Sequence, residues 1–192
     1  MLIKREQIPI LVVNIITIML FTILFSAKKN YEFLIYVGII VILLILIALT
    51  NKKVNYSNSV LWGLTVWALM HMSGGGIYIR GVRLYETILI PLSKAYPILK
   101  YDQFVHIIGF GVATILMYEL IKPKLRSNKW TAISIVVIMA GLGVGALNEI
   151  LEFIATVLVP ETGVGGYLNT TLDLVSDLIG AILAMILIRV KK

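Results

Sequence analysis

DQFVHIIGFGVATILMYELI (Asp102–Ile121) and TTLDLVSDLIGAILAMILI (Thr170–Ile188) decide how this chain folds. Each is an apolar run of the length that crosses a hydrocarbon core, for which about 20 helical residues suffice. Each also opens with an i,i+4 pair of ionisable groups, Asp102 with His106 and Asp173 with Asp177. Side chains at that spacing share one helix face. A charged group at bilayer depth costs several kcal/mol unless it is paired, hydrated or bound to an ion. The two segments therefore predict membrane helices that carry a shared polar centre.

The rest of the chain agrees with a membrane setting. Hydrophobic residues make up 59% of it and its mean hydropathy is +0.97, well outside the range of soluble domains. Four further runs read as helices of spanning length: Ile8–Ser26, Tyr31–Leu49, Ser59–Ile79 and Trp130–Val159. The first is too long for a cleaved signal segment, and Lys28–Lys29 stand where small residues would be needed. The expected fold is an all-α membrane protein with six transmembrane helices. Helices three to six (residues 57–192) form a four-helix functional core, and residues 1–56 form an accessory hairpin, because the second run has no polar side chain after Tyr36.

Seventeen basic and ten acidic residues give a net charge of +7. The basic residues lie in short clusters between apolar runs, with no basic face or aromatic platform, which argues against nucleic acid as a partner. Eleven fall on the side of the termini (Lys4, Arg5, Lys52, Lys53, Lys122, Lys124, Arg126, Lys129, Arg189, Lys191 and Lys192) and six on the other. The positive-inside rule then places both termini in the cytoplasm of a plasma-membrane, multi-pass protein surrounded by lipid. The chain has no cysteine, which excludes thiolate metal sites.

Seven ionisable residues occupy spans or their ends: His71, Asp102, His106, Glu149, Glu152, Asp173 and Asp177. At 1.5 Å per residue they all fall in the outer half of the membrane, although they come from four helices. Small residues follow each pair on the same face, Gly109 and Ala113 in one helix, Gly180, Ala181 and Ala184 in another. Such stripes let membrane helices approach closely. Gly141, Gly143 and Gly145 precede the glutamates and predict a bend in that long helix. The segment 75–100 mixes Tyr78, Arg80, Arg83 and Lys94 with apolar residues, as an interfacial helix or a lid would. Gly74–Gly76 are expected to free the backbone where the third helix ends, and Glu86 and Glu161 to be solvated loop residues.

YDQFVHIIGFG (Tyr101–Gly111) and HMSGGGIY (His71–Tyr78) resemble motifs of the YjdF-type inner-membrane proteins of unknown function. The acidic pair Glu149 and Glu152 and the ending TLDLVSDLIGA (Thr171–Ala181) follow in the same order, so the resemblance covers roughly residues 59–190. Asp102, His106, Asp173 and Gly180 also resemble, more distantly, VanZ-like membrane proteins. The YjdF-type family tends to carry extra aspartates where this chain has Gly166–Thr170, and Trp where it has Phe153. The resemblance implies six helices around a polar centre and supplies no reaction.

Imidazoles with several carboxylates form a ligand set for a divalent metal such as Zn, Mn, Fe or Mg. His71, Asp102, His106, Asp173 and Asp177 are the candidate ligands, and Glu149 and Glu152 the candidate catalytic bases. Tyr78, Arg80 and Arg83 could bind a lipid or lipid-linked substrate, with an arginine on its phosphate. A proton- or ion-coupled transporter and a scaffold held by a structural polar network are the alternatives. Enzyme status, substrate and oligomeric state are left open by the residues alone.

Overall fold

A computed structural model describes residues 4–126, 129–160 and 162–191 of the chain, so Glu161 and Lys192 lie outside the described residues. Six α-helices account for most of it: α1 (Ile8–Ala27), α2 (Tyr31–Val54), α3 (Asn58–Gly76), α4 (Tyr101–Ile121), α5 (Trp130–Leu158) and α6 (Tyr167–Val190). Local chemistry sets several of the ends. Pro9 sits in the first turn of α1, where no amide partner is lost. The Asn30 side chain caps α2 by accepting from Phe33 N at 3.1 Å, and Ser57 caps α3 by accepting from Val60 N at 3.3 Å. Asn55, at φ 61°, closes α2 in the left-handed conformation that Asn tolerates.

Five helices, all but α3, are long and apolar enough to cross a membrane. Their outward faces suit lipid: Met19, Leu20 and Ile23 of α1 are exposed, as are Ile135, Val136 and Met139 of α5. α3 is less apolar because His71, Ser73 and Gly74–Gly76 fill its last turns. It packs between α1 and α4 instead, so its polar end faces protein.

The three glycines at the end of α3 do not release the backbone, since the helix runs through Gly76. They make room for rings. A Cβ at Gly74 would lie 2.6 Å from the Tyr85 ring, and one at Gly75 would overlap Phe33. Likewise α5 is one unbroken helix through Gly141, Gly143 and Gly145. Gly141 accommodates Thr114 and Gly145 accommodates the Asp177 carboxylate, so these glycines serve close packing.

The closest helix approach is between α4 and α6, which run parallel from the same end of the bundle. A Cβ at Gly111 would lie 3.2 Å from the Gly180 carbonyl oxygen, and one at Gly180 would overlap the Ile107 carbonyl. The small-residue stripe of α6 therefore meets α4 as its sequence predicts. Gly109 has a different neighbour: its open side receives Trp67 of α3.

Between α3 and α4 the chain forms a hairpin, not the interfacial helix that its composition suggested. β1 (Tyr78–Ile79) pairs antiparallel with β2 (Val82–Arg83), with Tyr78 opposite Arg83. The two-residue turn is Arg80–Gly81, both at positive φ (52° and 83°), as a type I′ connection demands. A short 3-10 turn, Leu84–Glu86, then folds Tyr85 back into the bundle. Glu86 is paired, accepting from Lys100 Nζ at 2.5 Å. The half of the core remote from this hairpin is apolar, built from Ile133, Val137, Met185 and Ile188 around the Tyr118 ring.

Candidate metal centre

The α4–α6 contact places His106 against Asp177. Nδ1 of His106 lies 2.8 Å from Oδ1 of Asp177, and both side chains are buried. The other ring nitrogen, Nε2, faces Oδ1 of Asp102 at 3.9 Å, one turn earlier on α4. Asp173, one turn before Asp177 on α6, falls beside Asp102. The side-chain amide of Asn169 donates to both, at 3.3 Å to Asp102 and at a shorter contact to Asp173. From α5, Glu149 brings Oε1 to 4.0 Å from His106 Nδ1. Gly145, one turn before Glu149, leaves the space that the Asp177 carboxylate occupies.

Two overlapping sets of three ligand atoms result, Asp102–His106–Asp173 and His106–Glu149–Asp177, each within 4.8 Å of one another. His106 belongs to both. A ring that donates through Nδ1 to a carboxylate has its tautomer fixed, which leaves Nε2 as an acceptor or metal ligand. Among the described residues, Oδ1 of Asp173 and Oδ2 of Asp177 find no hydrogen-bond partner, while Glu149 has the Asn148 and Thr170 side chains beside it. Each buried, unpartnered oxygen costs about 1–3 kcal/mol. The arrangement can bind a divalent cation.

The other expected residues fall in different places. His71 is not part of either set. Its Nδ1 shares a 2.5 Å hydrogen bond with the Tyr85 hydroxyl, and its ring lies among Phe33, Tyr36, Trp67 and Tyr85 at centroid distances of 5.3–5.8 Å. Burial holds the Tyr85 phenol well above its ordinary range, so it stays a neutral hydroxyl. Glu152 is held by the Asn148 amide at 2.8 Å and faces a small cleft with about 30 Å³ of room, enough for a water or an ion. His71, Asp102, Arg83 and Asn169 line the same cleft. Tyr78 and Arg80 do not. They sit exposed on the hairpin, where Tyr78 stacks under Lys28 at 5.2 Å.

Sequence reasoning missed Glu32. The first turn of α2 turns Glu32, Phe33 and Tyr36 into the cleft, so the N-terminal hairpin contributes to the site at this end. Glu32 is buried, accepts from Gly163 N at 2.6 Å and lies 3.9 Å from Arg83 Nη1. Its position ahead of the apolar run, just after the Asn30 cap, made it look like a helix-start residue in headgroups. Asn148, Asn169 and Tyr85 were also missed, since neutral side chains carry no cost signal comparable to that of a buried charge.

Comparison with known proteins adds a family and no activity. No curated protein and no solved structure matches the chain. The resemblance to the YjdF-type proteins is consistent with the family found, whereas the VanZ-like resemblance stays at the level of shared motifs. Residues 8–192, nearly the whole chain, match one family, and the chain belongs to it: the predicted membrane proteins of DUF2238.

Proposed function

We propose that the centre binds a divalent cation through His106 Nε2, Asp102 and Asp173, and uses it on a lipid or lipid-linked substrate. Asp177 then orients His106 by accepting its Nδ1–H, the carboxylate–histidine–metal arrangement common among such sites. Glu149 and Asp177 flank the opposite, Nδ1 side of the ring. Glu152, in the cleft beside Asp102, is the general base, and a bound cation would supply Lewis-acid polarisation of a carbonyl or phosphoryl oxygen. A donor set of one imidazole and several carboxylates favours Mn, Mg or Zn over softer ions. The Asp102–His106–Asp173 set, whose three ligand atoms lie within 4.8 Å of one another and in which Asp173 Oδ1 has no hydrogen-bond partner, carries this reading.

The charge asymmetry of the loops supports a plasma-membrane orientation with both termini cytoplasmic and the centre in the outer half of the bilayer. A substrate in the outer leaflet would meet the centre directly. The transporter reading has less support, because the apolar cluster around Val137 and Met185 fills the bundle toward the opposite end. The scaffold reading treats His106–Asp177 as a packing clasp and leaves the remaining acid oxygens unexplained.

Elemental analysis of the full-length protein, purified without chelator, tests the proposal. One cation per chain is expected, along with a rise in melting temperature when Mn2+ or Zn2+ is returned to chelated protein. His106→Gln and Asp102→Asn should abolish both effects while the protein remains monodisperse. Wild-type protein that neither carries nor responds to any divalent cation would overturn it.

A further inference from the structure

An apolar groove of about 520 Å³ opens on the lipid-facing side between the start of α2 and the end of α5. Leu34, Ile35, Leu158 and Pro160 line it. Groove and cleft have no lining residue in common, but α2, α5 and the stretch after α5 contribute neighbouring residues to both. On α2, Glu32 and Phe33 face the cleft while Leu34 and Ile35 face the groove. On α5, Glu152 faces the cleft and Leu158, less than two turns on, faces the groove. The α5–α6 connector finishes both: Val159 and Pro160 border the groove, Gly163 and Gly165 the cleft.

Arg83 is the one cation among the residues that line the cleft. Among the described residues its only near carboxylate, that of Glu32, lies 3.9 Å away, too far for a hydrogen bond. Glu32 is instead engaged at 2.6 Å by the Gly163 amide. Arg83 thus keeps N–H donors for another anion, and Gly163 lets it sit there, since a Cβ at 163 would overlap the guanidinium. A planar guanidinium recognises phosphate oxygens in pairs.

We infer that the groove between α2 and α5 is a lateral portal for a phospholipid substrate, its acyl chain lying against Leu34, Ile35 and Leu158 and its phosphate on Arg83. The inference rests on the metal-assisted lipid reading above and deepens it: the substrate enters sideways from the bilayer and carries an anionic phosphate. A chain in the groove leaves its headgroup at the cleft mouth, with Asp102 and Glu152 beyond it. The α5–α6 connector, held to α2 through Glu32 and Gly163, forms the sill between the two compartments.

The test uses full-length protein in nanodiscs doped with phosphatidic acid bearing a photoactivatable acyl chain, with cross-links mapped by mass spectrometry. Labelling should be enriched at residues 31–35 and 158–160 over the lipid-facing reference 135–139, and a phosphatidylcholine probe should show less enrichment. Arg83→Gln should lower the phosphatidic acid signal about tenfold, as expected for loss of a charge-assisted contact. Leu158→Trp, which fills the groove without touching Arg83, should lower it independently. Soluble glycerol phosphate should not compete; if it displaces the probe, the ligand is a water-soluble phosphate and the portal is wrong. Equal labelling of groove and reference, or a signal indifferent to both variants, would also overturn the inference. Metal content read on the same samples separates the two proposals, since Arg83→Gln and Leu158→Trp leave the cation ligands intact.

Discussion

Replacing Gly180 with alanine should do more damage than any other single methyl added to this bundle. The new Cβ would overlap the Ile107 carbonyl oxygen and lie 3.0 Å from the Gly111 nitrogen. Both are backbone atoms of α4 and cannot rotate away, so the two helices must separate. Overpacking of this kind costs about 1–3 kcal/mol. Alanine also improves intrinsic helix propensity by about 1 kcal/mol, which would mask part of the loss. Gly143→Ala controls for that gain, because nothing lies within 4 Å of its Cβ position. The propensity gain is common to both variants, so their difference, about 1–3 kcal/mol, isolates the clash. Thermal unfolding in detergent should rank Gly143→Ala at or above wild type and Gly180→Ala several degrees below it. The same separation draws Asp177 from His106, so cation-induced stabilisation should weaken only in Gly180→Ala. Equal stability of the two variants would refute the backbone-to-backbone contact, and with it the argument for why the acids meet.

Other substitutions probe the chemistry. Asp177→Asn should weaken cation binding about 10- to 100-fold, the usual cost of losing the partner that orients a ligating histidine, measured by titrating Mn2+ into chelated protein. Asn169→Asp places a third carboxylate between Asp102 and Asp173; chelated protein should melt lower than wild type and gain more from added cation. Tyr85→Phe leaves the buried His71 Nδ1 without its partner and should cost about 1–3 kcal/mol in thermal unfolding. The folded-state raising of the Tyr85 phenol above its ordinary value of 10.0 means that the unfolded chain releases this proton first. Stability should therefore hold below pH 10 and decline above it, and Tyr85→Phe should lessen that decline by up to about 1.4 kcal/mol per pH unit. An unchanged alkaline slope in the variant would place the phenol in solvent.

The helices and their common polar end were legible because membrane burial makes a charge conspicuous. Asp102, His106, Glu149, Asp173 and Asp177 stand out in apolar runs, and helical spacing fixes the face and end on which each must lie. What the residues could not give is the use of glycine. Gly74, Gly75 and Gly145 read as backbone weakness, yet each leaves room for one particular side chain from another helix, and that partner is set by tertiary packing. His71 was misplaced for a related reason. Its depth agrees with that of the acids, but its rotation on α3 turns it toward Tyr85 and Trp67. The Glu32 contribution went unread because the accessory role of the hairpin was argued from the residues after Tyr36, whereas Glu32 precedes them and reaches the cleft through the packing of the first turn of α2.

The balance of satisfied and unsatisfied groups separates a site from a clasp. To fasten α4 to α6, the single hydrogen bond between His106 and Asp177 would suffice, flanked by the Gly111–Gly180 contact that packs the backbones. Natural packing networks pair nearly all their buried acceptors. Here Asn148 and Asn169 satisfy oxygens on Glu152, Asp102 and Asp173, and His106 satisfies Oδ1 of Asp177, whereas Oδ1 of Asp173 and Oδ2 of Asp177 have no partner among the described residues. At about 1–3 kcal/mol for each of these two oxygens, leaving them unpaired would cost a substantial part of the stability of an ordinary domain. A divalent cation between the imidazole and these acids reverses the sign of that contribution.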